Sequence, residues 1–214
     1  ATTQTKIWCT VPAGVGKNPP VVVVVGNQRV VDTSGLFTYK PPAIWSITPN
    51  TGHTTGNATI VVTGANFGPR HSDNDVVVRF ERRDAGVAAP VVGPTVAAAT
   101  ILHWADDGFA FTLPAGYGGG WHLMAHVGNA TAGEAQANDP ADAASAFDYA
   151  PPVVTAVTPN HGPTAGVYEV VISGSDFSEA SACPAAAGCV RATLFGVFTA
   201  ARNRVGSKEL RDCA

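Results

Sequence analysis

Charge is scarce in this sequence. Lys and Arg number 13 and Asp and Glu 16 in 214 residues, which makes 14% charged residues and a net charge of −3. Proteins that bind nucleic acid usually carry a basic footprint, and a pI near 6.0 without any basic cluster provides none. A membrane surface finds no basic patch either. Long apolar runs are missing as well. The longest uncharged apolar stretch, AGVAAPVVGPTVAAATIL from Ala85 to Leu102, is rich in Ala and broken by two Pro and two Gly. A spanning helix needs about 20 apolar residues, so this stretch reads as a loop running into a strand. No initiator Met and no charged-then-apolar leader precede ATTQTKIW, as expected of a mature product, a fragment or an incomplete gene. Cysteine is limited to four residues. A structural zinc site needs four convergent ligands, commonly two close pairs, and only Cys183 and Cys189 are close in sequence, so disulfides are favoured over metal.

Glycine (23) and proline (16), by contrast, are plentiful. They suit short strands separated by turns. Much of this punctuation recurs. PPAIWSITPNTGHTTGNATIVVTGANFG, from Pro41 to Gly68, aligns without a gap to PPVVTAVTPNHGPTAGVYEVVISGSDFS from Pro151 to Ser178, an offset of 110 residues. TVPAGVGKNPPVVVVVGN (Thr10 to Asn27) aligns with TLPAGYGGGWHLMAHVGN (Thr112 to Asn129) at an offset of 102. Phe37 to Pro42 then matches Phe147 to Pro152 at 110 again, so eight residues are inserted within ATAGEAQANDPADAAS, read as a polar hairpin or loop. Matched punctuation at a fixed period indicates tandem units. The expected layout is the closing part of one unit in residues 1–40, a complete unit in 41–150 and the opening part of a third in 151–214. Tyr-x-Pro-Pro junctions mark the boundaries, and their prolines restrict the angle between neighbours.

Within the complete unit, AIWSIT, ATIVVTG, DVVVRFER, TILHW, GFAFTLP, HLMAHVG and SAFDY read as about seven strands, with turn signals every 8–12 residues. About 100 residues per unit with that spacing predicts an all-β, immunoglobulin-like β-sandwich in tandem. The residues also resemble a known family. Pro42, Ile44, Ile47, Pro49, Gly52, Gly56, the strand TIVVTG and Gly64-Ala65-Asn66-Phe67-Gly68 are similar to the opening pattern of IPT/TIG domains, the immunoglobulin-like modules shared by plexins and transcription factors. The second copy reads Pro152, Val154, Val157, Pro159, Gly162, Gly166, EVVISG and Gly174-Ser175-Asp176-Phe177-Ser178, where Asn-Phe-Gly has become Asp-Phe-Ser. The resemblance implies the sandwich fold and says little about function, because one sandwich serves many roles. Gly52, Gly56 and Gly64 are expected at turns or bulges, and Phe67 as a plug at the end of the core.

Cys183 and Cys189 bracket PAAAG and are disulfide candidates. Cys9 aligns with Phe111, and Cys213 sits at about the phase of Cys9, so the chain is expected to be part of a longer array. Asn57-Ala58-Thr59 and Asn129-Ala130-Thr131 are N-glycosylation acceptors, with Asn129 at the mouth of the inserted loop. Together with an adhesion-type module these features point to an extracellular or cell-surface setting.

The chemistry-bearing motifs fail on closer reading. His122 and His126 lie four apart, but on a strand that separation is about 13 Å, so they cannot share one ion and read as an exposed strand face. GVGKN (Gly14 to Asn18) lacks the first glycine and the hydroxyl residue of a phosphate loop. HSDNDV (His71 to Val76) and Asp106-Asp107 offer acids without the alternation and terminal Glu of a calcium loop. No Gly-x-Ser-x-Gly elbow occurs. No catalytic residue, metal ligand or cofactor is assigned. The expected partners are a protein or glycan at the cell surface or in extracellular matrix, with no nucleic acid and no transmembrane segment. Trp45, Trp104 and Trp121 are candidate contacts where exposed, although packing in the core is the favoured reading of each. A carbohydrate-binding accessory module is the alternative, and it would need Trp121 and Tyr117 on one exposed face. A Rel-like DNA-binding protein ranks last, because Arg79, Arg82 and Arg83 are interleaved with Glu81 and Asp84.

Overall fold

The computed structural model describes residues 5–32, 37–69, 76–83, 89–128, 136–139, 143–164, 168–177, 193–198 and 204–209. Two sheets face each other through the middle of the chain. The first is antiparallel, with β3 (Ala43–Thr48), β5 (Thr59–Ala65), β9 (Gly108–Thr112) and β8 (Ile101–Ala105) in that spatial order. The second runs β4 (Thr51–Gly52), β12 (Ala146–Tyr149), β10 (Trp121–Val127), β6 (Val76–Arg82) and β7 (Val91–Val96), with β11 (Gln136–Ala137) also on β10. Every pairing among these is antiparallel except β4 with β12. The seven strands expected from sequence are all present, within a residue or two at each end.

Period-two alternation decides which side chains enter the core. Along β5, Ile60 and Val62 are buried while Thr59, Val61 and Thr63 face solvent, because successive strand residues point to opposite faces. The core is strongly aromatic. Phe80 sits 5.1 Å from Phe147 and 6.4 Å from Phe111, and Phe67 meets Phe109 edge-on at 5.0 Å. Such pairs add about 0.5–1.5 kcal/mol each beyond the area they bury. Phe67 is fully buried at the end of this stack, where it was expected to act as a plug. At the other margin, Pro94 lies in β7, an edge strand among the described residues, where a missing N–H is tolerated.

Two expectations need correction. Of the two readings of the inserted stretch, hairpin or loop, the described part shows a strand returning on β10. Gln136 and Ala137 face Val127 and His126, and a buried polar residue follows that the polar reading does not anticipate. Asn138 is buried and continues that pairing with its side chain. Its Oδ1 accepts from Ala125 N (2.8 Å) and its Nδ2 donates to Leu123 O (3.1 Å). The amide supplies both backbone partners that a regular strand residue would, so a polar residue replaces a ladder step. The outer face of β6 and β10 is likewise less open than its charges suggest. Glu81 is buried, accepts from Arg79 Nε (2.6 Å) and lies 3.4 Å from His126 Nε2, while His122 Nδ1 meets Ser145 Oγ at 3.0 Å. His122 and His126 are half-buried, not exposed.

Before and after the sandwich, smaller sheets stand alone. β1 (Val21–Val25) pairs with β2 (Gln28–Asp32), β13 (Val153–Thr158) with β14 (Val171–Ser175), and β15 (Thr193–Phe198) with β16 (Arg204–Glu209), each antiparallel. The repeat is visible in side-chain detail. Tyr39 Oη donates to Pro12 O at 2.9 Å, and Tyr149 Oη to Pro114 O at 3.0 Å. In both places the ring lies over the glycine of Pro-Ala-Gly (Gly14, Gly116), leaving no room there for a Cβ.

Candidate functional site

The best-defined polar and apolar constellations lie at the two poles of the sandwich, where neighbouring segments touch it. One pole is built on Gly64-Ala65-Asn66-Phe67-Gly68. Asn66 and Gly68 both adopt positive φ (62° and 67°), which Asn tolerates and Gly adopts without cost. Gly68 N donates to Asp106 Oδ1 (3.0 Å), Gly68 O accepts from Trp104 Nε1 (2.9 Å), and Phe67 N reaches Asp106 O (3.2 Å). Asp106, weighed above as a calcium ligand, therefore uses its carboxylate to fix this loop. Val15, from the segment before the sandwich, packs on the loop and is buried with its core. A Cβ on Gly68 would overlap Val15 Cγ1, so the absent side chain is what admits the neighbour.

At the opposite pole, residues 53–57 cross beneath the turn at Leu113–Gly116. Gly116 N donates to Thr54 O (2.9 Å) and Asn57 N to Leu113 O (2.9 Å). Gly56 is in the left-handed region (φ 72°), and a side chain there would meet the backbone of Leu113–Ala115. The Thr54 amide points outward and is taken by Asp176 of the following segment, N to Oδ1 3.1 Å, with His53 Nδ1 3.1 Å from the same oxygen. The Thr54 hydrogen bond, then His53, holds the Asp176 carboxyl below its usual range. Asp176 is the counterpart of Asn66 and has the same backbone conformation, φ 59°. Asn66 turns inward to donate to Pro41 O (3.2 Å), whereas the carboxylate at 176 reaches the unit before it.

Residues 42–139 match the model of the IPT/TIG domain. The central sandwich is an IPT/TIG domain. This immunoglobulin-like module is non-catalytic and occurs in adhesion and recognition proteins and in DNA-binding factors, extracellular and intracellular, where it mediates protein interactions. No curated protein matches the chain.

The sites singled out from sequence fall in different places around the IPT/TIG sandwich. Asn57 is exposed in a left-handed turn (φ 65°) at the second pole. Asn129, Cys183, Cys189 and Cys213 lie outside the described residues. Cys9 is exposed and in no disulfide. Trp121, a candidate contact for which core packing is the favoured reading, is buried. Its Nε1 donates to Tyr117 O (2.9 Å), the Arg82 guanidinium covers its ring at 4.9 Å, and the ring lies against Gly93. Trp104 is held by Gly68 O and by stacking on Phe109 at 4.7 Å. Trp45 alone of these three is exposed. Among the described residues no three of His, Cys, Asp and Glu gather to hold a metal, and no helix is long and apolar enough to cross a membrane. Sequence reasoning missed Asp176 as a contact between segments. The only hint was the change from Asn to Asp within an otherwise repeated motif.

Proposed function

We propose that this chain is a stretch of an extracellular or cell-surface array of IPT/TIG units that serves adhesion, recognition or structural assembly and carries no reaction of its own. One observation carries the reading. Both poles of the sandwich are occupied by adjoining segments of the same chain, Val15 on Phe67–Gly68 and Asp176 on His53–Thr54. In an immunoglobulin-like sandwich the loops cluster at those two ends, so a unit whose ends are both taken is built as a link. Residues 1–40 and 151–214 are the partial units on either side. Asn57 and Asn129 are the glycan acceptors and Cys183–Cys189 a loop-closing disulfide. The partners are surface proteins or glycans. Nucleic acid is not among them, since a net charge of −3 offers phosphate no footprint.

The test is the intact mass of the natural protein before and after enzymatic removal of N-glycans, compared with the same digestion of an Asn57→Gln variant expressed in a secreting host. A glycosylated product heavier than 21.9 kDa, with Asn57→Gln lacking one glycan, supports the extracellular array. An unmodified product at that mass argues for a cytosolic setting.

A further inference from the structure

The loops that end β5 and β14 share one backbone. Gly64 and Gly174 each lie against a carbonyl of the partner strand, Ala43 O and Val153 O, and beneath a phenylalanine ring, Phe67 and Phe177. Asn66 and Asp176 follow with φ of 62° and 59°. Their side chains have the same size and differ in one atom, yet they hold different units. The Asn66 amide has an N–H to give and closes on Pro41 O at the entry to its own unit (3.2 Å). A carboxylate has none to give. By the 110-residue offset the counterpart of Pro41 is Pro151, whose carbonyl oxygen offers Asp176 only repulsion. Asp176 needs donors, and it finds them on the preceding unit. Thr54 N lies at 3.1 Å and Thr54 Oγ1 at 3.5 Å, while His53 Nδ1 is 3.1 Å and 3.2 Å from its two oxygens. The Ser175 hydroxyl of its own segment adds a further hydrogen bond. Only 6% of the Asp176 side chain is exposed, a depth at which a carboxylate needs such partners.

We infer that this loop position selects what the loop holds. Asn closes a unit on itself, whereas Asp clasps the unit before it, and Asp176 thereby fixes the angle between the central sandwich and β13–β14. The Pro151-Pro152 linker narrows that angle through its two fixed φ values but leaves the rotations about ψ free, so the carboxylate supplies the remaining restraint. A change from Asp to Asn at position 176 would turn a set joint into a hinge without altering the size of any side chain. This rests on the linking role proposed above and deepens it, and it does not depend on glycans or compartment.

The test is NMR on this 214-residue chain and on its Asp176→Asn and Asp176→Ala variants. In the unaltered chain, residual dipolar couplings of the central sheets and of β13–β14 should fit one alignment tensor. Both variants should give β13–β14 a separate, smaller tensor. Exchange of the Thr54 amide should quicken about tenfold or more, the loss of one hydrogen bond to a charged acceptor. Amide shifts within β13 and β14 should hold, which marks release rather than unfolding. Asp176→Asn alone should add a protected side-chain amide like that of Asn66. Four outcomes overturn the proposal: an unaltered chain that already needs two tensors, variants that keep the common tensor, Asp176→Asn protecting the Thr54 amide as well as the unaltered chain does, or collapsed shifts in β13–β14. The last would mean that Asp176 holds its own segment and not the joint. None of these would disturb the contact of Val15 with Gly68 or the glycan mass, so failure here is distinct from failure of the array.

Discussion

Placing a methyl group on Gly68 tests the first joint directly. Gly68→Ala has two costs that the structure separates. Its φ of 67° is left-handed, and an L-residue there costs about 1 kcal/mol more than glycine. The new Cβ also overlaps Val15 Cγ1, which must leave its site. Val15 is buried, and exposing a small aliphatic side chain costs about 1.5 kcal/mol. The single variant should therefore lose about 2.5 kcal/mol. Val15→Ala removes two methyl carbons at about 0.8 kcal/mol each, a loss of about 1.5 kcal/mol. In that background the methyl at 68 finds room: the nearest remaining atoms are Gly14 O at 3.2 Å and Val15 Cβ at 3.5 Å. Only the backbone cost is then added, and the double variant should again lose about 2.5 kcal/mol, against about 4 kcal/mol if the two effects were independent.

Urea unfolding of the four proteins measures this cycle, with stability taken from shifts of the midpoint at unchanged slope. A coupling of about 1.5 kcal/mol places Val15 on Gly68 in solution. Additivity within about 0.5 kcal/mol would refute the reasoning, because distant or separately moving sites behave that way. The linking role would lose one of its two supports with it.

Three other outcomes follow from the same geometry. Burial, then the Arg79 guanidinium, hold His126 below its ordinary value of 6.5, against the pull of Glu81, so the unfolded chain binds the proton more readily. Stability should therefore fall as pH drops through about 6.5, and His126→Gln should flatten that slope in urea midpoints measured from pH 7.5 to 5. Asn138→Ala strands Ala125 N and Leu123 O in the interior and should cost about 2–4 kcal/mol in thermal or urea unfolding, far more than an exposed Asn would. Tyr149→Phe loses only the hydrogen bond to Pro114 O, about 1 kcal/mol, whereas Gly116→Ala drives a methyl into the buried Tyr149 ring and should cost about 1–3 kcal/mol. Equal losses for those last two would mean that the ring does not press on the turn.

Much of the fold was legible because its signals are local and repeated. β-branched alternation marks β5 and β6, the Gly-rich turns mark their ends, and two copies of each motif remove coincidence. What escaped depends on contacts between distant residues. Asn138 reads as loop chemistry in AQANDP, and nothing local says that its amide will serve the backbone of Leu123 and Ala125. Core packing is the favoured reading of Trp121, but nothing local names Gly93 as its seat or Arg82 as its lid. The polar joint escaped for the same reason, since Asp176 and Thr54 are 122 residues apart.

In the proposed array, the two joints also constrain where recognition would occur. At the first joint an apolar Val15 meets a bare Gly68. At the second, the Asp176 carboxylate makes the contact, with Thr54 N and His53 Nδ1. With loops at both poles spent on neighbours, a partner is left the flanks of the sandwich. The flank of β6 and β10 is already closed by Glu81, Met124 and Ser145, all buried. The flank of β3, β5 and β9 is the more exposed one. It presents Ser46, Thr48, Thr59, Val61 and Thr63 in register, with Ser46 Oγ 2.8 Å from Thr63 Oγ1 and exposed Trp45 at the edge strand. Short hydroxyl side chains lose little entropy on contact and offer both donors and acceptors. A link that must also recognise something would therefore do so broadside, through this face.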